Sequence, residues 1–295
     1  IELTSPIAVP KGFTQDYIDS PDTERIYKKI TEAHTELKIG KDVILYEGTG
    51  HAGVGSVFDA SNADTAKLLG SKVILVTVGG IGKSIDEIMM NAAMFKEKGV
   101  DILGVIVNKV LPEKYDKIKN YTTRGFNRFG IDVLGVMPLM TQLTYPTIAA
   151  IIDELKPEVL SNGSGLNNMV KKFMIGDMMP HYALDKFTDG TLMIVPGNRE
   201  GVILTALTEH LMKDEIKKQV SGIIFTDDVA PHPKILSLLQ KTNIPLLQVK
   251  KDAFSIATKI NNVIFKIRAD ESEKIAIAEE MVEKYVDLDK ICNSI

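Results

Sequence analysis

The stretch KVILVTVGGIGKS, residues 72–84, decides the fold. It opens as an apolar run of strand length. Gly79, Gly80 and Gly82 follow, and a helical pattern begins at Ser84. Strand, glycine turn and helix in that order form the βα half of a parallel sheet. Thr77 to Ser84 also fits G-x-x-x-x-G-K-[ST], except that Thr77 stands where the first glycine belongs. In a phosphate loop, backbone N–H groups surround a phosphate and the lysine reaches its oxygens. The question is whether these residues hold a phosphate or only reverse the chain.

Working outward, the same alternation continues. DVILYEG (42–48) reads as a buried strand and NADTAKLLG (62–70) as a short helix with a glycine stop. Ser84 to Lys98 is a helix closed by Gly99, and ILGVIVNKV (102–110) is a strand. Residues 112–130 form an amphipathic helix and DVLGVMPL (132–139) a strand. Continuous apolar strands separated by helices predict a parallel sheet covered on both faces. Upstream, Ser20 is an N-cap and Pro21 a first helical residue, for a helix running to about Leu37. Residues 144–160 read as a terminal helix and SNGSGLNN (161–168) as a linker.

The second half repeats the alternation on a smaller scale. Strands are expected at 171–178, 191–197, 221–228 and 245–250, and helices at 201–212, 231–242 and 253–264. From Asp270 the chain reads as an exposed amphipathic helix. The expected organisation is an α/β nucleotide-binding domain at 1–160, a linker at 161–168, a second α/β domain at 169–270 and a C-terminal helix at 271–295.

Composition narrows the function. The chain has 295 residues, 44% hydrophobic and 25% charged, with a net charge of −4 and no basic stripe, so nucleic acid is not an expected partner. Cys292 is its one cysteine, which excludes a disulfide framework and fits a reducing cytoplasm. No apolar run is long enough to span a membrane, and no signal peptide is recognised. His34, His51, His181, His210 and His232 show no metal-ligand spacing.

In open α/β sheets, ligands sit beyond the carboxyl ends of the strands. EGTGHAGVGS (47–56) there combines a strand-end carboxylate, suited to a nucleotide-bound Mg²⁺, with glycines whose N–H groups can cradle an anion. His51 lies in the same loop. Asn108 ends another strand and offers a donor beside an acceptor, which suits an adenine edge.

DVILYEGTG, NADTAKLLGSKVILVTVGGIGKSIDEI, ILGVIVNKV and DVLGVMPL together resemble the dethiobiotin-synthetase-like group of P-loop proteins, over about residues 40–155. The resemblance implies Glu47 as the Mg²⁺-side carboxylate, with Gly48, Gly50 and His51 beside the phosphates. It implies Asn108 with Lys109 as the adenine contact and Pro138 bordering the base. It places Lys83 and Ser84 in a neighbouring loop that lines the site, because the phosphate loop of such folds precedes the metal carboxylate in the chain. The first βα unit with that loop is expected upstream of Ile1 or lost, so Mg²⁺ and ATP are expected cofactors only where it is supplied.

KKFMIGDMMPHYALDKF, GTLMIVPGNREGVILTAL and the segment from SGIIFTDD to AFSIATKI resemble the DRTGG domain. The chain departs at the naming residues. Asn198-Arg199 replaces Asp-Arg, and Thr226-Asp227-Asp228 replaces Thr-Gly-Gly. Asn198, Arg199, Thr226 and Asp227 form the candidate ligand cluster, Arg199 because a guanidinium suits a phosphate or carboxylate. The pair of domains is similar to the region that precedes the acetyltransferase domain in long phosphotransacetylases. This implies an ATP-binding regulatory or ligand-sensing protein, homo-oligomeric and with a small-molecule ligand. The alternatives are an ATP-dependent carboxylate-activating ligase of the dethiobiotin or cobyrinic acid diamide synthase type, and a non-catalytic dimerisation module.

Overall fold

The computed structural model describes residues 3–211 and 220–295. Ile1, and Met212 at the expected end of the 201–212 helix, lie outside the described residues. Contacts divide the chain into two compact units, Ile1–Leu139 with Glu279–Ile295, and Met140–Ala278.

The first unit begins with α1 (Phe13–Asp19), α2 (Thr23–Leu37) and α3 (Asn62–Leu68). Then β1 (Val73–Val78), α4 (Gly82–Glu97), β2 (Ile102–Val110), α5 (Tyr115–Asn127) and β3 (Val133–Pro138) alternate. The strands run parallel in the order β1-β2-β3. Leu75, Ile88, Phe95, Val105, Val107, Phe126 and Val136 join the strands to α4 and α5 in one core. Removing each such side chain from water contributes about 2 kcal/mol. A reciprocal cap starts α3: the Ser61 hydroxyl accepts from Asp64 N–H while the Asp64 carboxylate accepts from Ser61 N–H.

Three expectations for this unit are corrected. The cap of α2 is Asp22, whose carboxylate accepts from Arg25 N–H at 3.0 Å; Ser20 instead ends α1. Residues 42–48 form no strand: Leu45 is 91% exposed and Val43 60%. An apolar, β-branched run stays irregular where no neighbouring strand completes its ladder. At β1 only one face is covered, since Leu75 and Thr77 are buried while Val76 and Val78 are 61% and 56% exposed. β1 is an edge strand of a three-stranded sheet, so its continuous apolar run does not imply cover on both sides.

The second unit contains α6 (Ile148–Leu155), β4 (Glu158–Ser161), β5 (Lys172–Ile175), α7 (Pro180–Leu184), β6 (Thr191–Pro196) and α8 (Glu200–Leu211). It continues with β7 (Val220–Thr226), α9 (Pro233–Leu239), β8 (Leu246–Gln248) and α10 (Ala253–Asn262). The sheet order is β4-β8-β7-β6-β5, parallel except for β4. Side chains alternate between its faces. Met193, Val195, Ile223 and Phe225 pack with α7, α8 and α9. Leu192, Ile194, Ile224 and Leu247 pack with α6 and α10. This sheet is covered on both sides, and β7 is buried throughout.

The helix expected over 144–160 is shorter. Pro157 disfavours helical backbone at the residue before it, and Lys156 turns into the left-handed region at φ 49°, ending α6. Residues 158–161 then pair as β4, so the expected 161–168 linker lies inside the second unit. The tail, α11 (Ser272–Tyr285) and α12 (Leu288–Cys292), is not simply exposed. Lys274, Met281 and Val286 are buried, and Asp287 N–H donates to Leu134 O at 2.8 Å along the outer edge of β3.

Candidate functional site

In the first unit, register brings the ends of the strands together: Val78 lies opposite Asn108, and Val110 opposite Pro138. The glycine turn after β1 has a packing cause. A Cβ on Gly79 would stand 2.8 Å from Val110 Cα, so only glycine lets the two strand ends meet. The Ser84 hydroxyl donates to Val78 O at 2.7 Å, and Ser84 is 2% exposed. Lys83 points to solvent and pairs with Glu87 at 3.5 Å, one helical turn on. In residues 77–84 the hydroxyl thus serves the backbone and the lysine a surface pair.

Asn108 and Lys109 sit in a bulge where pairing with β3 shifts. Lys109 adopts φ 56°, and its N–H donates to Asn108 Oδ1 at 2.8 Å. Asn108, Lys109, Pro138 and the Lys83–Ser84 turn therefore share one end of the sheet.

Glu47, Gly48, Gly50 and His51 lie in a different loop. Asn62 Nδ2 donates to Thr49 O and His51 O at 3.0 and 2.9 Å, and Asn91 Oδ1 accepts from Ala52 N–H at 2.6 Å. These bonds fix the loop on α3 and α4. Gly50 takes φ 70°, and Gly48 packs on the Asn62 side chain. Glu47 does not end a strand, and among the described residues no hydrogen bond or ion pair ties it to the ends of β1–β3. No group of three or more His, Cys, Asp or Glu able to hold a metal occurs among the described residues. The residues present do not fit a magnesium triphosphate. Among the described residues no bond ties the Glu47 carboxylate to Asn108, the Ser84 hydroxyl of the phosphate-loop pattern is bonded to Val78 O, and Lys83 pairs at the surface with Glu87.

The second unit is more closely knit. Gly197 N–H donates to Val229 O at 2.9 Å, and a Cβ on Gly197 would stand 2.3 Å from that oxygen, so the loops after β6 and β7 touch. Asp227 N–H donates to Lys251 O and Asp228 N–H to Val249 O, both at 3.1 Å, which joins the β7 and β8 loops. Arg199 Nη2 donates to Asp177 O at 2.5 Å, bringing in the loop after β5. The Thr226 hydroxyl is buried and donates to Asp227 Oδ2 at 2.8 Å. Asn198 is exposed at the tip. All four expected residues of this unit thus lie at one end of its sheet.

Asp227 and Asp228 occupy the left-handed region at φ 61° and 57°. These are the positions where the DRTGG pattern carries glycines, and a left-handed backbone is what glycine tolerates without cost. Beside them lies a cavity of about 280 Å³, lined by residues including Lys156, Glu158, Asp228, Gln248, Lys251 and Lys259. Sequence reading missed it because α6, β4, β8 and α10 contribute separately. The one local signal was the acidic pair itself.

Comparison with known proteins places these units. Residues 1–147 match the model of an AAA domain, and residues 150–263 that of the DRTGG domain. The phosphate acetyltransferase of Nitratidesulfovibrio vulgaris is 27% identical over 271 residues, covering 88% of this chain and 37% of that protein. The phosphate acetyltransferase of Synechocystis sp. is 25% identical, covering 92% of this chain and 39% of that protein. The chain therefore spans less than half the length of these curated relatives. The solved CBS and DRTGG domains of the regulatory region of Clostridium perfringens pyrophosphatase, complexed with the activator diadenosine tetraphosphate, overlap 72% of this chain and 88% of that one. Identity there is 15% and the TM-score 0.32. With both halves accounted for, the chain carries an AAA domain followed by a DRTGG domain, and it is homologous to phosphate acetyltransferases.

Proposed function

We propose that this chain is a ligand-sensing regulatory protein whose working site lies at the carboxyl ends of β5–β8. The observation that carries this reading is the knitting of four loops by Gly197, Arg199, Asp227 and Asp228 beside a lysine-lined cavity. Loops held rigidly at strand ends are where open α/β sheets bind ligands. Mg²⁺ and ATP belong to the first unit only in the company of a phosphate cradle, which its described residues do not supply. Thermal shift tests the reading, because a ligand that binds the folded state raises Tm by mass action. ATP with Mg²⁺ is expected to leave Tm unchanged, whereas a small metabolite is expected to raise it, and Asp227→Ala to abolish that rise. A strong ATP shift, or no shift across a broad metabolite panel, would overturn it.

A second reading is self-association through the edge of β1, favoured by the exposed Val76 and Val78 there.

A further inference from the structure

We propose that the cavity between the start of β4, the end of β8 and α10 binds a small phosphate monoester. This rests on the reading of the second unit as the ligand-sensing one, and names its ligand class.

Charge is the first argument. Among the described residues, four lysines line the cavity, Lys156, Lys250, Lys251 and Lys259, against two carboxylates, Glu158 and Asp228. The chain as a whole carries −4, so a cationic cavity runs against its average. Lys259 Nζ is held at the wall by Glu154, with its carboxylate at 2.9 Å and its carbonyl at 2.8 Å. The side chains of Lys156, Lys250 and Lys251 make no ion pair or hydrogen bond among the described residues. The Asp228 carboxylate accepts from Gln248 Nε2 at 3.0 Å. The neighbouring Asp252 is committed to capping α10 through Ser255.

Backbone strain is the second. Five described residues other than glycine have positive φ, and two of them, Lys156 and Asp228, line this cavity, with Asp227 next to Asp228 in the chain. Such strain persists where a local shape is required, and it gathers at ligand sites. Here it turns the chain so that the Lys156, Asp228 and Lys251 loops face one opening.

Shape and donor chemistry give the ligand class. Leu155, Pro157, Val249 and Ile256 supply an apolar lining, and the volume of about 280 Å³ suits a small organic body better than a bare ion. No arginine lines the cavity, so a planar carboxylate finds no guanidinium fork, whereas several lysine point charges suit a tetrahedral dianion.

The test uses the whole chain, with phenyl phosphate as probe and benzoate as its carboxylate counterpart, followed by calorimetry at low salt. Phenyl phosphate is expected to bind, benzoate far more weakly. Lys156→Gln with Lys251→Gln is expected to weaken phenyl phosphate at least about tenfold. Lys241→Gln, on a surface outside the cavity, is expected to leave it unchanged. Because the two lysines are exposed, an unaltered Tm shows that the double variant folds. No binding of phenyl phosphate, equal binding of benzoate, or equal affinity of the double variant would each overturn the proposal. A metabolite that stabilises parent and double variant alike would keep the sensing reading and remove this cavity from it.

Discussion

Asp227 and Asp228 hold a left-handed backbone that a Cβ disfavours by about 1–2 kcal/mol. Glycine would remove that strain but return about 0.5–1 kcal/mol as chain entropy in the unfolded state. Asp228→Gly is therefore expected to raise stability by roughly 0.5 kcal/mol, read as a higher urea midpoint at constant slope. A lower midpoint would mean that the Gln248 contact outweighs the strain. Elsewhere in the same unit, Glu271 and Lys274 form a buried pair at 2.9 Å, and Lys274 also donates to Tyr145 O at 2.6 Å. Burial alone would push the Glu271 carboxyl up. Hydrogen bonds from Lys274 and from Arg268 N–H, with the Lys274 charge, outweigh it and hold the group below its ordinary value of 4.5. Its contribution is present above the unfolded-state value and is lost as pH falls through the lower folded one. Glu271→Gln leaves a buried lysine without its counter-charge and is expected to cost about 3 kcal/mol at neutral pH, with a flatter acid limb in the stability–pH curve. An unchanged acid limb would show that other carboxylates dominate it.

Among the elements, β1 differs most from its sequence. Its composition is that of a buried strand, yet alternate side chains face outward and it ends the sheet. Val76 and Val78 lie on the uncovered face beside that edge, where a second copy packing there would meet them. Val76→Lys with Val78→Lys is expected to keep the folded stability within about 0.5 kcal/mol, since both sites are exposed. The same change is expected to lower the mass measured by light scattering if copies associate through this edge. An oligomer of unchanged mass would remove β1 from the interface. DVILYEG shows the same physics, a strand-like run exposed because nothing pairs with it.

At the scale of the molecule, the chain does not divide at one point. Residues 279–295 return to the first unit, where Tyr285 stacks edge-on to Tyr115 at 6.0 Å and Asp287 bonds to β3. Removing residues 279–295 is expected to destabilise the first unit selectively. Hydrogen exchange should then quicken in β3 and α5 and stay unchanged in β6 and β7. Uniform loss of protection would show that the two units unfold together.

Strand and helix order, the two α/β halves and the family resemblance were legible along the chain, because periodicity and turn residues act locally. β2, β3, β6 and β7 follow their apolar runs nearly to the residue, and the candidate cluster at Asn198, Arg199, Thr226 and Asp227 does gather at one sheet end. Pairing is a different matter, since it depends on which strands meet. Whether DVILYEG and β1 find neighbours, why Gly79 must be glycine, and that Ser84 serves Val78 all follow from contacts the local sequence does not contain. The lysine-lined cavity is the clearest case. Lys156 and Lys251 are far apart in the chain, and only the antiparallel pairing of β4 with β8 brings them to one opening.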